Sequence, residues 1–409
     1  MTEAYDVAIV GGGMVGASLA VALQPLGLAV ALIESVPHAS AAQPSFDERT
    51  TALSNGSRRI LETIGVWPGV ESAATAIRRI HVSDRGRFGF ARIDAAELGL
   101  AAIGYVVPNR ALGAALWARI GADARMRVFC PATLEQVRPG TNAVELRVSE
   151  PGRAPAEISA RLVVAADGVH SAVRTAVGVT AETRDYEQSA VITAVLPQRF
   201  HEHIAYERFT ESGPLALLPL ADGRCTLVLT VRRADLEDVL AADDAAFLAM
   251  VEERFGTRLG RFLKVGARVA YPLALTRAMR TSAQRCVILG NAAQSLHPVA
   301  GMGFNLGLRD VASLAEVLAD ARGEGRTDCG APAGLEAYEA WRRRDRRAVI
   351  AFTDLLVRAF SNPLSIVRGA RNFGLLAFDL LPPAKSALSR LSTGAGGRVP
   401  KLARGVPLA

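Results

Sequence analysis

Two glycine-rich turns, far apart in the chain, hold the residues best suited to chemistry. The later one lies in Gly290-Asn-Ala-Ala-Gln-Ser-Leu-His-Pro-Val-Ala-Gly-Met-Gly-Phe-Asn-Leu-Gly-Leu-Arg-Asp310. An apolar strand over 285–289 leads into it, glycines stand at 301 and 303, and a helix is expected from this loop through residue 318. The earlier one follows the apolar run 5–10 and reads Gly11-x-Gly13-x-x-Gly16, with Val15 starting a helix that ends near Pro25 and Gly27. Glycine lets a ligand approach the backbone closely, and the free N–H groups of a helix start attract negative charge. Two such sites predict one long anionic ligand gripped at both ends, and FAD is such a ligand.

A second strand, 29–33, finishes at Glu34, eighteen residues beyond Gly16. A carboxylate there can accept from both ribose hydroxyls while the helix start holds the pyrophosphate. GxGxxG alone is a weak signal, because glycine turns recur by chance. Strand, helix, second strand and acid in register make it a dinucleotide site. A third element, 162–174, ends a strand at Asp167-Gly168 and opens a short helix with Ser171 as its cap. By itself it reads as an ordinary strand-to-helix turn.

In this order the three blocks resemble the class A flavoprotein monooxygenases, aromatic hydroxylases of the para-hydroxybenzoate hydroxylase type, over about residues 5–350. Residues 46–57, 108–112 and 290–294 further resemble the ubiquinone-biosynthesis branch, nearest its 2-octaprenyl-6-methoxyphenol hydroxylases. Asn291 and Gln294 stand where most of the superfamily has Asp and His, a variant this branch shares, and Met302 replaces a usual Gln.

The resemblance implies an α/β fold in which a Rossmann-like FAD-binding domain is interleaved with an antiparallel-sheet substrate domain and followed by C-terminal helices. It implies an enzyme that uses FAD, NADPH or NADH, and O2 to hydroxylate a polyprenylated phenol through a C4a-hydroperoxide of the flavin. Cofactor contacts are expected from Gly11, Gly13, Val15, Gly16, Glu34, Arg49, Arg110, Asp167, Asn291, Gly301, Gly303 and Asn305. Backbone N–H groups around Gly303, Phe304 and Asn305 would stabilise charge on the pyrimidine end of the ring, and Pro298 would form an apolar wall beside the reacting carbon. Asp310 reads as structural. No proton-accepting residue is assigned; His81, His201, His203, Tyr206 and His297 are available, and His297 lies in the flavin loop. Other readings of the same scaffold are a hydroxylase of a small soluble aromatic, a flavin-dependent prenyl reductase, or a non-catalytic flavoprotein subunit of a membrane-associated assembly.

The elements that must position these residues follow from length and pattern. With 409 residues, half of them hydrophobic, the chain can bury a large core. The expected division is an FAD-binding domain from 1–75, 100–186 and 276–345, a substrate domain from 76–99 and 187–275, and a helical basic and apolar region over 346–409. Strands are expected at 189–196, 204–209, 215–220, 225–232 and 267–273 with a helix at 243–255, the pattern of an antiparallel sheet.

The four cysteines are scattered without a CxxC pair, which indicates neither zinc nor a disulfide framework and suits reduced thiols in the cytoplasm. The apolar stretch 7–33 is broken by glycines and Pro25, and no basic region precedes it, so it reads as the dinucleotide unit rather than a signal or membrane segment. From Arg342 onward thirteen Lys or Arg face three Asp, beside apolar segments at 348–352, 355–357, 364–367 and 373–381. That composition does not suit nucleic acid. It suits an anionic membrane surface or a partner protein, which the resemblance would make the inner membrane or a ubiquinone-biosynthesis protein, against the plainer reading of helices packed on the body with 342–347 as a solvated face.

Overall fold

A computed structural model of the chain describes residues 3–40, 42–87, 89–298, 301–361 and 397–408. The expected segments 364–367 and 373–381 lie outside the described residues. Strand Glu3–Val10 pairs in parallel with Val30–Ile33 on one side and Ala156–Ala165 on the other. Cys286–Ile288 adds beyond Ala156–Ala165 and Met126–Phe129 beyond Val30–Ile33, again in parallel. These strands read as unbroken apolar runs because both faces are covered. On one face Val7, Ile9 and Leu32 meet helices Met14–Leu23, Asn109–Gly121 and Met302–Gly323. On the other, Ala8, Ala31 and Val163 pack under the hairpin Thr133–Pro139 and Val144–Ser149.

A second, largely antiparallel sheet joins Ala181–Pro197, Val269–Ala278, Cys225–Arg232, Gly213–Pro219 and Ile204–Thr210. Its edge is extended by Arg79–Asp84, which pairs in parallel with Ile204–Thr210 across a long stretch of sequence. The outer face is sealed by helix Asp244–Phe255, where Val191, Leu217, Leu229 and Phe247 are fully buried. The inner face turns toward the first sheet and is covered less completely: Ile192, Ala194, Ala216, Leu218 and Val228 remain half-buried. A short sheet of Thr50–Ser54, Gly104–Pro108 and Thr75–Ile77 lies between the two, and Thr50 Oγ1 meets Thr226 Oγ1 at 2.9 Å.

Helix Pro332–Ser361 runs without interruption across residue 345. Its basic cluster is not a solvated face throughout. Arg342 is 3% exposed, bonded to Asp310, and Arg346 donates to the Ala278 carbonyl at 3.1 Å. Among the described residues no helix is long and apolar enough to cross a membrane.

Candidate active site

The early turn is shaped by what its glycines exclude. Gly11 has φ +98°, and a Cβ there would lie 2.4 Å from the Ala166 carbonyl oxygen. A Cβ on Gly16 would lie 1.9 Å from the Gly11 carbonyl oxygen, so the helix can seat on the turn only with glycine. Helix Met14–Leu23 has Gly13 as its cap and no side chain bonded there, which leaves N–H groups for a ligand. Glu34, 8% exposed at the strand end, is held by two backbone donors: Gly12 N–H to Oε2 at 2.5 Å and Val36 N–H to Oε1 at 2.8 Å. Its remaining lone pairs can accept from ligand hydroxyls.

The late turn meets the early one at Val15. A Cβ on Gly290, where φ is +56°, or on Gly307 would stand 2.9 Å from Val15 Cγ2. These two glycines let the start of helix Met302–Gly323 press onto the start of Met14–Leu23. The result is one cleft of about 500 Å³ whose lining includes Gly11, Gly13, Glu34, Asp167, Asn291 and Gly303. Val15 and Phe304 line it as well. Ser171 caps the short helix Ala172–Ala176 by accepting from Arg174 N–H, and Asp167 Oδ2 accepts from Val173 N–H at 3.2 Å. Asp167 Oδ1 is buried with no partner among the described residues. An orphaned acceptor, a second acidic residue and two helix starts on one cleft fit a dinucleotide flavin, with hydroxyls at the carboxylates and negative charge at the helix starts.

Six of the expected residues are not part of this lining. Gly16 and Gly301 act through packing; a Cβ on Gly301 would lie 3.2 Å from Ala52 Cβ. The Asn305 side chain is a clamp, accepting from Ser54 N–H at 2.8 Å and donating to the carbonyls of Ala52 at 2.8 Å and Gly301 at 2.7 Å. Pro298 is exposed. Arg110 pairs with Glu48 at 2.7 Å at the surface. Arg49 pairs with Asp47 at 2.6 Å, stacks on Tyr271 at 4.4 Å, and lines a second cavity of about 620 Å³ on the inner face of the antiparallel sheet.

Segment 43–45 also lines the cleft, with Ser45 Oγ 2.7 Å from where a Gly13 Cβ would stand and Gln43 donating to the Val36 carbonyl at 2.9 Å. It has no periodicity or motif that would reveal it in the sequence. Thr133 and Leu134 reach the cleft only through sheet pairing.

Asp310 lies behind the flavin loop, 1% exposed, accepting from Arg342 Nε at 2.7 Å and Gln294 Nε2 at 3.0 Å. The proton-accepting candidates are engaged elsewhere. His297 is 1% exposed against the Tyr186 ring, and burial pushes its imidazole down to about 4. His201 Nε2 lies 2.9 Å from the Leu220 carbonyl, and burial holds its ring below the ordinary histidine value. His203 Nδ1 lies 3.1 Å from the Ala76 carbonyl. His81 packs against Phe90 and Tyr206, and Tyr206 packs edge-on against Phe255.

Comparison with known proteins agrees with this geometry. The family described as "FAD binding domain" matches residues 4–353. The chain is 39% identical to "Ubiquinone hydroxylase UbiL" of Rhodospirillum rubrum, over 98% of this chain and 93% of that one. It is 33% identical to "3-demethoxyubiquinol 3-hydroxylase" of Escherichia coli, over 91% of this chain and 94% of that one. The crystal structure of p-nitrophenol 4-monooxygenase PnpA from Pseudomonas putida superposes with a TM-score of 0.80 at 19% identity, covering 97% of this chain and all of that one, a likeness of fold. The chain therefore belongs to the FAD-binding class A flavoprotein monooxygenases, in the branch that holds the ubiquinone hydroxylases.

Proposed function

We propose that this monooxygenase hydroxylates the aromatic ring of a polyprenylated phenol in ubiquinone biosynthesis, with NADPH or NADH as reductant and O2 as co-substrate. The observation that carries this reading is the single cleft shared by both glycine turns, in a chain that matches ubiquinone hydroxylases over nearly its whole length. Bound FAD supplies the electrons and the activated oxygen. The chain's own residues do the rest. Glu34 and Asp167 hold hydroxyls, and Gly13 offers helix-start N–H groups to the pyrophosphate. Gly303 and Phe304, which line the cleft at the start of Met302–Gly323, would stabilise negative charge developing on the flavin ring. Pro298 would wall the reacting carbon, and Arg110 and Arg49, which stand outside the cleft's lining, would contribute positive charge toward the phosphates.

The half-buried inner face of the antiparallel sheet gives an apolar wall for a phenol ring and the first units of its tail. The same reading divides the chain into the discontinuous FAD-binding domain, the substrate domain and the region 346–409. It places the protein in the cytoplasm at the inner membrane, with its basic carboxy-terminal region touching lipid or another ubiquinone-biosynthesis protein.

The test is product analysis. Purified protein should be yellow, consume NAD(P)H and O2 when given a short-chain prenyl phenol, and release a ring-hydroxylated product whose regiochemistry identifies the position. A colourless protein that FAD cannot reconstitute overturns the reading, as does a flavoprotein that oxidises NAD(P)H without forming hydroxylated phenol.

A further inference from the structure

A phenol ring becomes a better nucleophile as its O–H proton leaves, and its pKa of about 10 means a base must take that proton near neutral pH. The histidines and Tyr206 are engaged elsewhere, as described above. On strand Ile204–Thr210 side chains alternate between faces: Tyr206 and Arg208 point to helix Asp244–Phe255, while Ala205 and Glu207 point inward.

Ala205 packs with Ala52 and Leu218, and Ala52 is the residue against which Gly301 of the flavin loop sits. Glu207 lies two residues along the strand from Ala205, about 7 Å at the usual rise, on the same face of the sheet. Its cross-strand neighbours are Ala216 and Val82, and the row continues through Val228 to Ile192, which lines the second cavity. Small and apolar side chains make up this floor. Glu207 is half-buried among them, and no hydrogen bond or ion pair engages its carboxylate among the described residues.

We propose that Glu207 is the base that takes the phenol proton in this site, an assignment that rests on the hydroxylase reading above. The proton passes from the phenol oxygen to the carboxylate, leaving phenolate and carboxylic acid. The phenolate electron pair then feeds the ring carbon that accepts one oxygen atom, while the other oxygen leaves as water and NAD(P)H supplies the two electrons. When the ring carbon loses its hydrogen as a proton and aromaticity returns, the carboxylic acid gives its proton back to the phenolic oxygen, and Glu207 is ready again.

Burial raises this carboxyl to about 7, without any charged neighbour contributing, which makes it a far stronger base than an exposed glutamate while keeping it ionised in part at neutral pH. Among the described residues, the titratable groups on the elements around it that face this side are otherwise engaged or neutral. Asp84 on the neighbouring strand is partnered, Asp354 of helix Pro332–Ser361 holds Tyr186 and Arg184, and His297 is neutral. Strands Thr50–Ser54 and Gly213–Pro219 carry no charged residue.

The experiment measures kcat/KM against pH for the FAD-loaded protein with a short-chain prenyl phenol and NADPH. The parent should show a limb rising through about pH 7. Glu207→Gln should lose that limb and about 100-fold in kcat/KM, with FAD content and visible spectrum unchanged. Glu207→Asp, which keeps a carboxyl but withdraws it by one methylene, should keep the limb at a lower rate. Difference infrared spectroscopy of parent against Glu207→Gln should show a carboxyl titrating near pH 7. A limb that persists in Glu207→Gln, a parent-like rate in Glu207→Asp, or a carboxyl titrating at the ordinary glutamate value overturns the assignment while leaving the hydroxylase reading intact. A parent that hydroxylates no prenyl phenol overturns both.

Discussion

Replacing Gly290 by alanine tests whether the two glycine turns truly press together. Residue 290 has φ +56°, and an alanine held in that left-handed region costs about 1–2 kcal/mol. The added methyl would stand 2.9 Å from Val15 Cγ2 and 3.2 Å from both Val15 Cβ and Cγ1. Rotating Val15 cannot clear all three atoms, and a β-branched side chain has few rotamers to offer. Overpacking of this kind costs roughly 1–3 kcal/mol, so Gly290→Ala should destabilise by about 2–5 kcal/mol in total. Because Val15 lines the cleft, FAD binding should weaken too, tenfold for each ~1.4 kcal/mol transmitted.

Adding Val15→Ala should restore the steric share and leave the backbone strain, a coupling of about 1–3 kcal/mol between positions far apart in sequence. Urea unfolding of the four proteins of the cycle, with FAD titrated by fluorescence, gives both quantities. A loss below about 1 kcal/mol, or no recovery on truncating Val15, would refute the argument that these turns are in contact.

Three further outcomes are expected. Glu34→Ala should raise the FAD dissociation constant about 10- to 100-fold through lost charge-assisted bonds of ~1.5–3 kcal/mol each, and Gly13→Val should block the pyrophosphate approach; flavin retention on a desalting column that matches the parent would show the site to be misassigned. Asp310→Ala should cost about 3 kcal/mol in urea unfolding, the lower end for a broken buried pair, because Asp345 still reaches Arg342 at 2.7 Å. Stability against pH should show two opposing slopes. His297, lowered to about 4 from 6.5, contributes stability that is fully present above pH 6.5 and is lost as pH falls through 4, in all about 3 kcal/mol. Glu207, raised to about 7 from 4.5, contributes stability that is fully present below pH 4.5 and is lost as pH rises through 7. The two largely offset between pH 4.5 and 6.5, so His297→Phe should unmask a stability that falls with rising pH and Glu207→Gln one that rises; identical pH profiles in parent and both variants would contradict the burial of these groups.

The cofactor cleft was legible in the sequence because its parts are local devices. Strand Glu3–Val10, the turn at Gly11–Gly16, and an acid closing Val30–Ile33 are each specified by neighbours a few residues away, where steric limits on φ and the pairing of helix-start N–H groups act directly. The late block was legible for the same reason, and Cys225–Arg232 begins and ends where its apolar alternation does. Local pattern places the helix at Asp244–Phe255, capped by Asp243, within a residue of expectation.

What only the tertiary structure decided is which side chains share a space. Asn305 clamps strand Thr50–Ser54 and Arg49 stacks on Tyr271, through contacts more than two hundred residues away that no local pattern reveals. Val15 facing Gly290 and Gly307, Arg342 turned inward onto Asp310, and Glu207 set between Ala216 and Val82 are likewise products of long-range packing. A side chain's charge state and partners depend on the burial that assembly imposes, and burial is a property of the packed chain rather than of any segment of it.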